Sequence, residues 1–178
     1  MAMWKRLLIA FALLAVAFAT VVWLQPDDYR LIRMTTIAAP AAAIFPHVND
    51  LHRWEDWSPW AKADPNAKVR FGGAPAGAGA TFTWEGNDKI GAGTMTITDS
   101  RPNDLVRIKT DFAKPFAGTS YTEFVFSQTG DQTNVIWTMT GTHSFIGKAI
   151  CLFMPMETTV GPDFEKGLAR MRRVVEAR

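Results

Sequence analysis

Residues 51–65 read LHRWEDWSPWAKADP and crowd a histidine, three acids, a serine and three of the chain's seven tryptophans. Several chemistries could use such a set. A nucleophilic Ser58 needs a strand-turn-helix elbow of the G-x-S-x-G kind, and W-S-P-W does not supply one. His52 and Glu55 can share a helix face, with His47 nearby, but no H-E-x-x-H, C-x-x-C or facial triad is readable, so no metal site is expected. The tryptophans have two readings. Trp54 and Trp57 can share one helix face, whereas Trp60 falls beyond the break at Pro59. Their rings either pack a short helical segment onto a core or line the mouth of a cavity, where an indole offers a broad apolar face and one N–H donor.

Other candidates are thinner. Acid–base chemistry would need a buried polar group, and Glu85, Asp88, Tyr121, Glu123 and His143 are the side chains available on or beside the strands. Cys151 is the only cysteine. It lies in AICLFMP, and its apolar neighbours point to an inert buried thiol. FGGAPAGAGATF (71–82) has the glycines of a phosphate loop. It lacks both G-x-G-x-x-G at a strand-to-helix junction and G-K-[ST], so it reads as a flexible turn before a strand. IGAGTM (90–95) reads the same way. No catalytic residue and no cofactor is assigned.

The elements that would position these residues follow from hydrophobic periodicity. The chain has 178 residues, 48% hydrophobic and 20% charged. After an N-terminal segment of 1–25, the rest (29–178) suits one domain. Residues 7–24 form an apolar run with Thr20 as its only polar side chain. As a helix it is about 27 Å long, enough for a thin bilayer. Trp4 and Trp23 bracket the run, and Lys5 and Arg6 precede it, which orients the start to the cytoplasm and the domain outside, in the periplasm of a Gram-negative cell. The run reads as an uncleaved anchor. A signal peptide cut near AFA (17–19) is the alternative, though it would leave TVVWL as an apolar terminus. With Lys5 and Arg6 set aside, bases and acids balance at 17 each. That balance excludes an electrostatic case for nucleic-acid binding.

YRLIRMTTIAAP (29–40) reads as a strand. AAAIFPHVND (41–50) reads as a short helix that Pro46 should distort. Then ATFTWEG, GTMTITDS, LVRIKTDF, SYTEFVFSQ and TNVIWTMTG alternate apolar and polar residues, separated by turn signals. They predict successive half-buried antiparallel strands joined by hairpins. SFIGKAICLFM (144–154) reads as a helix stopped by Pro155. A long amphipathic helix follows, capped by Thr159 or Gly161, with Phe164, Leu168, Met171 and Val175 on its buried stripe and Arg170 and Arg173 turned away. The result is an α+β fold: one curved sheet, one long C-terminal helix across its concave side, and an apolar gap between them.

NDLHRWEDWSPWAKADP, GAGATFTWEGNDKIGAGTM, VIWTMTG and VGPDFEKGLARM, in this order, resemble the polyketide cyclase/dehydrase branch of the START-like (SRPBCC) superfamily. The likeness runs from about Thr35 to the C-terminus. It implies a helix-grip fold of about seven strands around the C-terminal helix, with a deep hydrophobic cavity, and a role in binding lipids, sterols, polyketides or other hydrophobic molecules. The expected function is therefore binding of a hydrophobic or amphipathic, lipid-like small molecule beside the membrane. The alternatives are a cyclase- or aromatase-like enzyme and an envelope protein-interaction module. Strand alternation nominates Trp57, Trp60, Trp84, Met95, Phe112, Trp137 and Met139 as cavity-lining residues.

Overall fold

The computed structural model describes residues 3–177. Helix α1 (Met3–Trp23) leads directly into strand β1 (Asp28–Ile37). Helix α2 (Ala41–Asn49), a 3-10 turn (Leu51–Arg53) and the single-turn α3 (Trp54–Trp57) follow. Six strands come next: β2 (Lys68–Gly73), β3 (Ala80–Glu85), β4 (Ala92–Arg101), β5 (Leu105–Lys114), β6 (Gly118–Thr129) and β7 (Gln132–Thr142). Helices α4 (Phe145–Phe153), α5 (Met156–Thr159) and α6 (Gly161–Glu176) complete the chain.

The seven strands form one antiparallel sheet in the order β1-β7-β6-β5-β4-β3-β2. β2 to β7 are a meander, and β1 closes on β7 with Asp28 opposite Thr142 and Ile37 opposite Thr133. Register shifts at Ala92/Gly93 and Ile97/Asp99 interrupt the β4–β5 ladder. Such irregularities increase local twist and curve a sheet. Alternation then sorts side chains by face. Leu31, Ile97, Val106, Ile108, Phe124, Phe126, Val135 and Trp137 join the core, where α2, α3 and α6 meet the sheet. On the convex face, Arg107 bridges Asp99 and Glu123.

Phe164, Leu168, Met171 and Val175 are all buried, as their spacing requires. The cap differs from expectation. Val160 holds the N-cap position with no side-chain hydrogen bond, and Gly161 is the first helical residue. The Thr159 hydroxyl instead donates back to the Pro155 carbonyl. Gly161 also lets the chain pass close to the Arg33 guanidinium, which holds Glu157 of α5 and Glu165 of α6 at 2.7 and 2.8 Å. Arg170 does not turn fully away, because it donates to the Ser58 carbonyl at 3.2 Å. Pro46 sits inside α2 without ending it.

The sequence reading passes over β2. Its residues, KVRFGG, lie on the sheet edge and end in two glycines. Gly73 has φ of 69°, and a Cβ there would run into the Gly79 carbonyl. Gly91 has φ of 60° and faces the Lys114 carbonyl in the same way. Both positions need glycine for conformation and for space. Gly91→Ala is therefore expected to lower unfolding free energy by about 1–3 kcal/mol, read as a downward shift in the thermal midpoint.

α1 is 21 residues long and apolar enough to cross a membrane, and a signal sequence passes the same test. It is almost wholly exposed apart from Val22 near its C-terminal end.

Candidate functional site

The WEDWSPW segment is a packing hub. The Trp54 indole N–H donates to the Val48 carbonyl and that of Trp57 to the His47 carbonyl, at 3.0 and 2.8 Å. Their ring centroids lie 4.8 Å apart, and both meet Phe124 edge-on at 6.0 Å. Trp57 also meets Trp137 at 5.5 Å, and Trp137 stacks on Phe164 of α6 at 3.8 Å. Trp57 is 0% exposed and Trp137 2%. Both of these nominated lining residues are thus enclosed by protein rings. Ser58 is buried as well. Its Oγ accepts a long hydrogen bond from the Trp60 backbone N–H, so its contacts are those of a turn. Trp60, half-buried, contacts Trp137 and Phe164 from the rim.

The other nominated residues divide between two parts of the sheet. Met139 lies on β7, opposite Leu31, and packs partly buried against the core. Trp84, Met95 and Phe112 come together on β3, β4 and β5. Cross-strand register sets Phe71 against Phe82, Phe82 against Met95, and Trp84 and Phe112 on either side of Gly93. The rings form a run: Phe71–Phe82 at 5.1 Å, Phe82–Trp84 stacked at 6.0 Å, Trp84–Phe112 edge-on at 6.0 Å. Phe71, Phe82 and Met95 pack against the core, so the run lies on the concave face. None of these five residues is fully buried, and Phe112 is 37% exposed. They make an apolar trough beyond the part of the sheet that α6 and α3 cover.

Gly93 shapes this trough. A Cβ at Gly93 would lie 2.6 Å from the Trp84 ring and 2.7 Å from the Asp111 carbonyl oxygen. The Trp84 N–H donates to the Ile90 carbonyl at 2.9 Å, which holds the indole over the glycine. Gly93→Ala is expected to displace the indole, changing the tryptophan emission spectrum and costing about 1–3 kcal/mol of stability through overpacking.

Two clefts flank the core. One, of about 230 Å³, is lined by Leu51, His52, Phe71, the Gly72–Pro75 turn and Thr81. There His52 stacks on Phe71 at 3.9 Å. The other, of about 220 Å³, is lined by Tyr29, Leu31, His143, Cys151 and Met156, among others. Both fall below the 300–1,000 Å³ typical of ligand pockets. Neither cleft is the deep cavity implied by the resemblance, and the Trp57–Trp137–Phe164 stack fills the space between sheet and α6 where it lies.

The second cleft brings a phenol, an imidazole and a thiol together. Tyr29 and His143 rings lie 4.6 Å apart, and Cys151 Sγ is 3.7 Å from His143 Nε2. Burial pushes the Tyr29 phenol up, against a smaller opposing pull from Ser120. Burial, and then the Lys148 charge, push His143 down from the ordinary imidazole value. Burial raises the Cys151 thiol. Cys151 is only half-buried, not the enclosed thiol expected from its neighbours. Both shifts favour the neutral thiol and the neutral imidazole, the reverse of what activates a thiolate. A histidine depressed in the fold contributes stability that is present above its unfolded value of about 6.5 and is lost as pH falls from there through the lower folded value. Thermal midpoints measured between about pH 7.5 and 5.5 should therefore fall further for the native chain than for His143→Asn.

Of the remaining acid–base candidates, Glu85 pairs with Lys114 and Glu123 with Arg107, while Asp88 and Tyr121 are exposed. Of these, His143 lines one of the two clefts. Among the described residues, no three His, Cys, Asp or Glu side chains gather as metal ligands. Phe71 and Tyr29 were missed as site residues. Phe71 carries only a short signal, its place two residues from Val69, which the glycines after it cut off.

A family model described as polyketide cyclase / dehydrase and lipid transport matches residues 31–176. No curated protein matches the chain. Among solved structures, it is similar to an uncharacterized protein from Rhizobium leguminosarum, at 15% identity and a TM-score of 0.60, covering 85% of this chain and 97% of that one. It is similar to protein CV1439 from Chromobacterium violaceum, at 14% identity and a TM-score of 0.56, covering 85% and 99%. It is also similar to CalU16 from Micromonospora echinospora, at 18% identity and a TM-score of 0.56, covering 83% and 74%. At these identities the structures speak to the fold. With the matched region running from β1 to the end of α6, the chain belongs to the polyketide cyclase/dehydrase and lipid transport family.

Proposed function

We propose that this protein binds a hydrophobic or amphipathic, lipid-like small molecule on the concave face of its sheet, beside a membrane that α1 spans. The aromatic trough carries this reading. Phe71, Phe82, Trp84, Met95 and Phe112 form one partly exposed apolar surface across β2 to β5, with His52 stacked on Phe71 at one end. Apolar burial at about 25 cal/mol per Å² would supply the affinity. The cleft beside Phe71 has room for an alkyl chain or a ring edge. The neutral His143–Cys151 pair gives no activated nucleophile, so binding is favoured over catalysis. Lys5 and Arg6 would hold the N-terminus in the cytoplasm and the domain outside.

Native mass spectrometry of the full-length protein, and of residues 27–178, each isolated from the native host with its lipids, tests the reading. The expected result is an extra mass of a few hundred daltons that organic extraction removes. The bare mass in both, together with no uptake from a hydrophobic library, would sink it.

A further inference from the structure

Helix α4 carries an apolar face that packing leaves open. Phe145, Ile146, Ile150, Phe153 and Met154 are 52, 57, 38, 76 and 57% exposed. At 100° per residue the four that lie within α4 fall within one half of the helix circumference, and Met154 follows as its C-cap residue. The other half, with Gly147, Lys148, Cys151 and Leu152, turns toward the protein. Lys148 is the only charged residue of α4. It is buried and pairs with Asp27 in the α1–β1 connection. The open half therefore carries no charge.

The position of α4 says what covers this face. Phe153 stacks on Phe18 of α1 with centroids 6.2 Å apart. Phe18 lies six residues before the end of the apolar run at Leu24, a depth of about 9 Å along the helix. Helices that lie in a bilayer surface bury their apolar side by about 5–10 Å. The Lys148–Asp27 pair and the His143 N–H to Asp27 carbonyl bond of 2.7 Å tie the start of α4 to the same end of α1. Strand register brings a further apolar group to this end of the sheet. Phe116, 56% exposed, sits in the β5–β6 turn beside the Phe112–Gly118 pair.

We propose that α4 is a second membrane contact, lying along the bilayer surface beside α1 with its open half in the boundary between headgroups and acyl chains. This rests on α1 spanning the bilayer. It places the Tyr29–His143–Cys151 cleft directly behind a membrane-embedded helix, and the trough end at Phe112 next to the lipid surface.

The test uses the full-length chain with Cys151→Ser and one added cysteine: Ile146→Cys, Phe153→Cys, Phe11→Cys in α1, or Asp131→Cys in the β6–β7 turn at the far end of the sheet. Each is labelled with a polarity-sensitive fluorophore and reconstituted into phosphatidylcholine vesicles, with or without lipids spin-labelled on the upper acyl chain. The expected result is about a twofold or greater loss of fluorescence at positions 146, 153 and 11 and none at 131, given a burial depth of about 5–10 Å. Quenching at 11 but not at 146 or 153 would overturn the α4 contact and leave the anchor standing. No quenching at 11 would remove the anchor and the α4 contact together. Equal quenching at 131 would mean general adsorption and would also overturn it. Ligand uptake is read separately by mass spectrometry, so a failure of binding is distinguishable from a failure of docking.

Discussion

Trp57→Ala is expected to destabilise the full-length protein by about 3–5 kcal/mol, the range for deleting a large buried aromatic side chain. The ring is fully enclosed, and three aromatic neighbours (Trp54, Phe124 and Trp137) lose contact with it at once. The substitution also removes the 2.8 Å hydrogen bond to the His47 carbonyl, which ties α3 to α2. Collapse around the hole is limited, because the sheet on one side and α6 on the other are held by the Trp137–Phe164 stack. Urea unfolding in detergent, followed by far-UV circular dichroism, measures it. Trp60→Ala serves as the comparison, since a half-buried ring at the rim should cost much less. Equal losses at 57 and 60 would mean that the enclosed stack is not the centre of the core.

Trp84→Ala is expected to leave the fold intact and weaken uptake of a hydrophobic probe such as a fluorescent fatty acid by roughly 30-fold. An indole covering about 80 Å² of ligand contributes about 2 kcal/mol at 25 cal/mol per Å², and 1.4 kcal/mol is a tenfold change in affinity. Trp84 is only partly buried, and its own packing partners, Phe82 and Phe112, remain in place. The competing outcome is specific. If uptake is unchanged while the melting temperature drops as far as for Trp57→Ala, the trough is core surface and the ligand seat lies elsewhere. Phe112→Ala, more exposed and at the β5–β6 turn end of the trough, should reproduce the uptake defect with a smaller stability change.

Trp84 and Trp137 mark where sequence periodicity stops being informative. Both sit in good amphipathic patterns, and both were nominated as lining residues. Strand alternation assigns Trp84 and Trp137 to the inner face of the sheet. It cannot say whether a helix lies over that face. Trp137 is covered because Phe164, 27 positions later in the chain, stacks on it; Trp84 lies on the half of the sheet that α6 does not reach. The same limit explains Cys151, whose apolar neighbours suggested a buried thiol. In α4 Ile150 and Phe153 point outward, and the cysteine faces His143 in a cleft. β2 escaped notice for a different reason. An edge strand with exposed Lys68, Val69 and Arg70 and a glycine end has no sustained alternation, and its assignment depends on pairing with β3.

The sequence by itself determined the apolar N-terminal helix, the antiparallel strands with their inward faces, and the buried stripe of the C-terminal helix, because each depends on local periodicity and turn chemistry. Its resemblance pointed to the family. Only the tertiary structure decided that the WEDWSPW rings fill the grip, that the open apolar surface lies at Phe82, Trp84 and Phe112, and that α4 meets α1 with its apolar side outward. Those outcomes depend on which distant elements come to lie over a given face, and contacts between residues far apart in the chain set them.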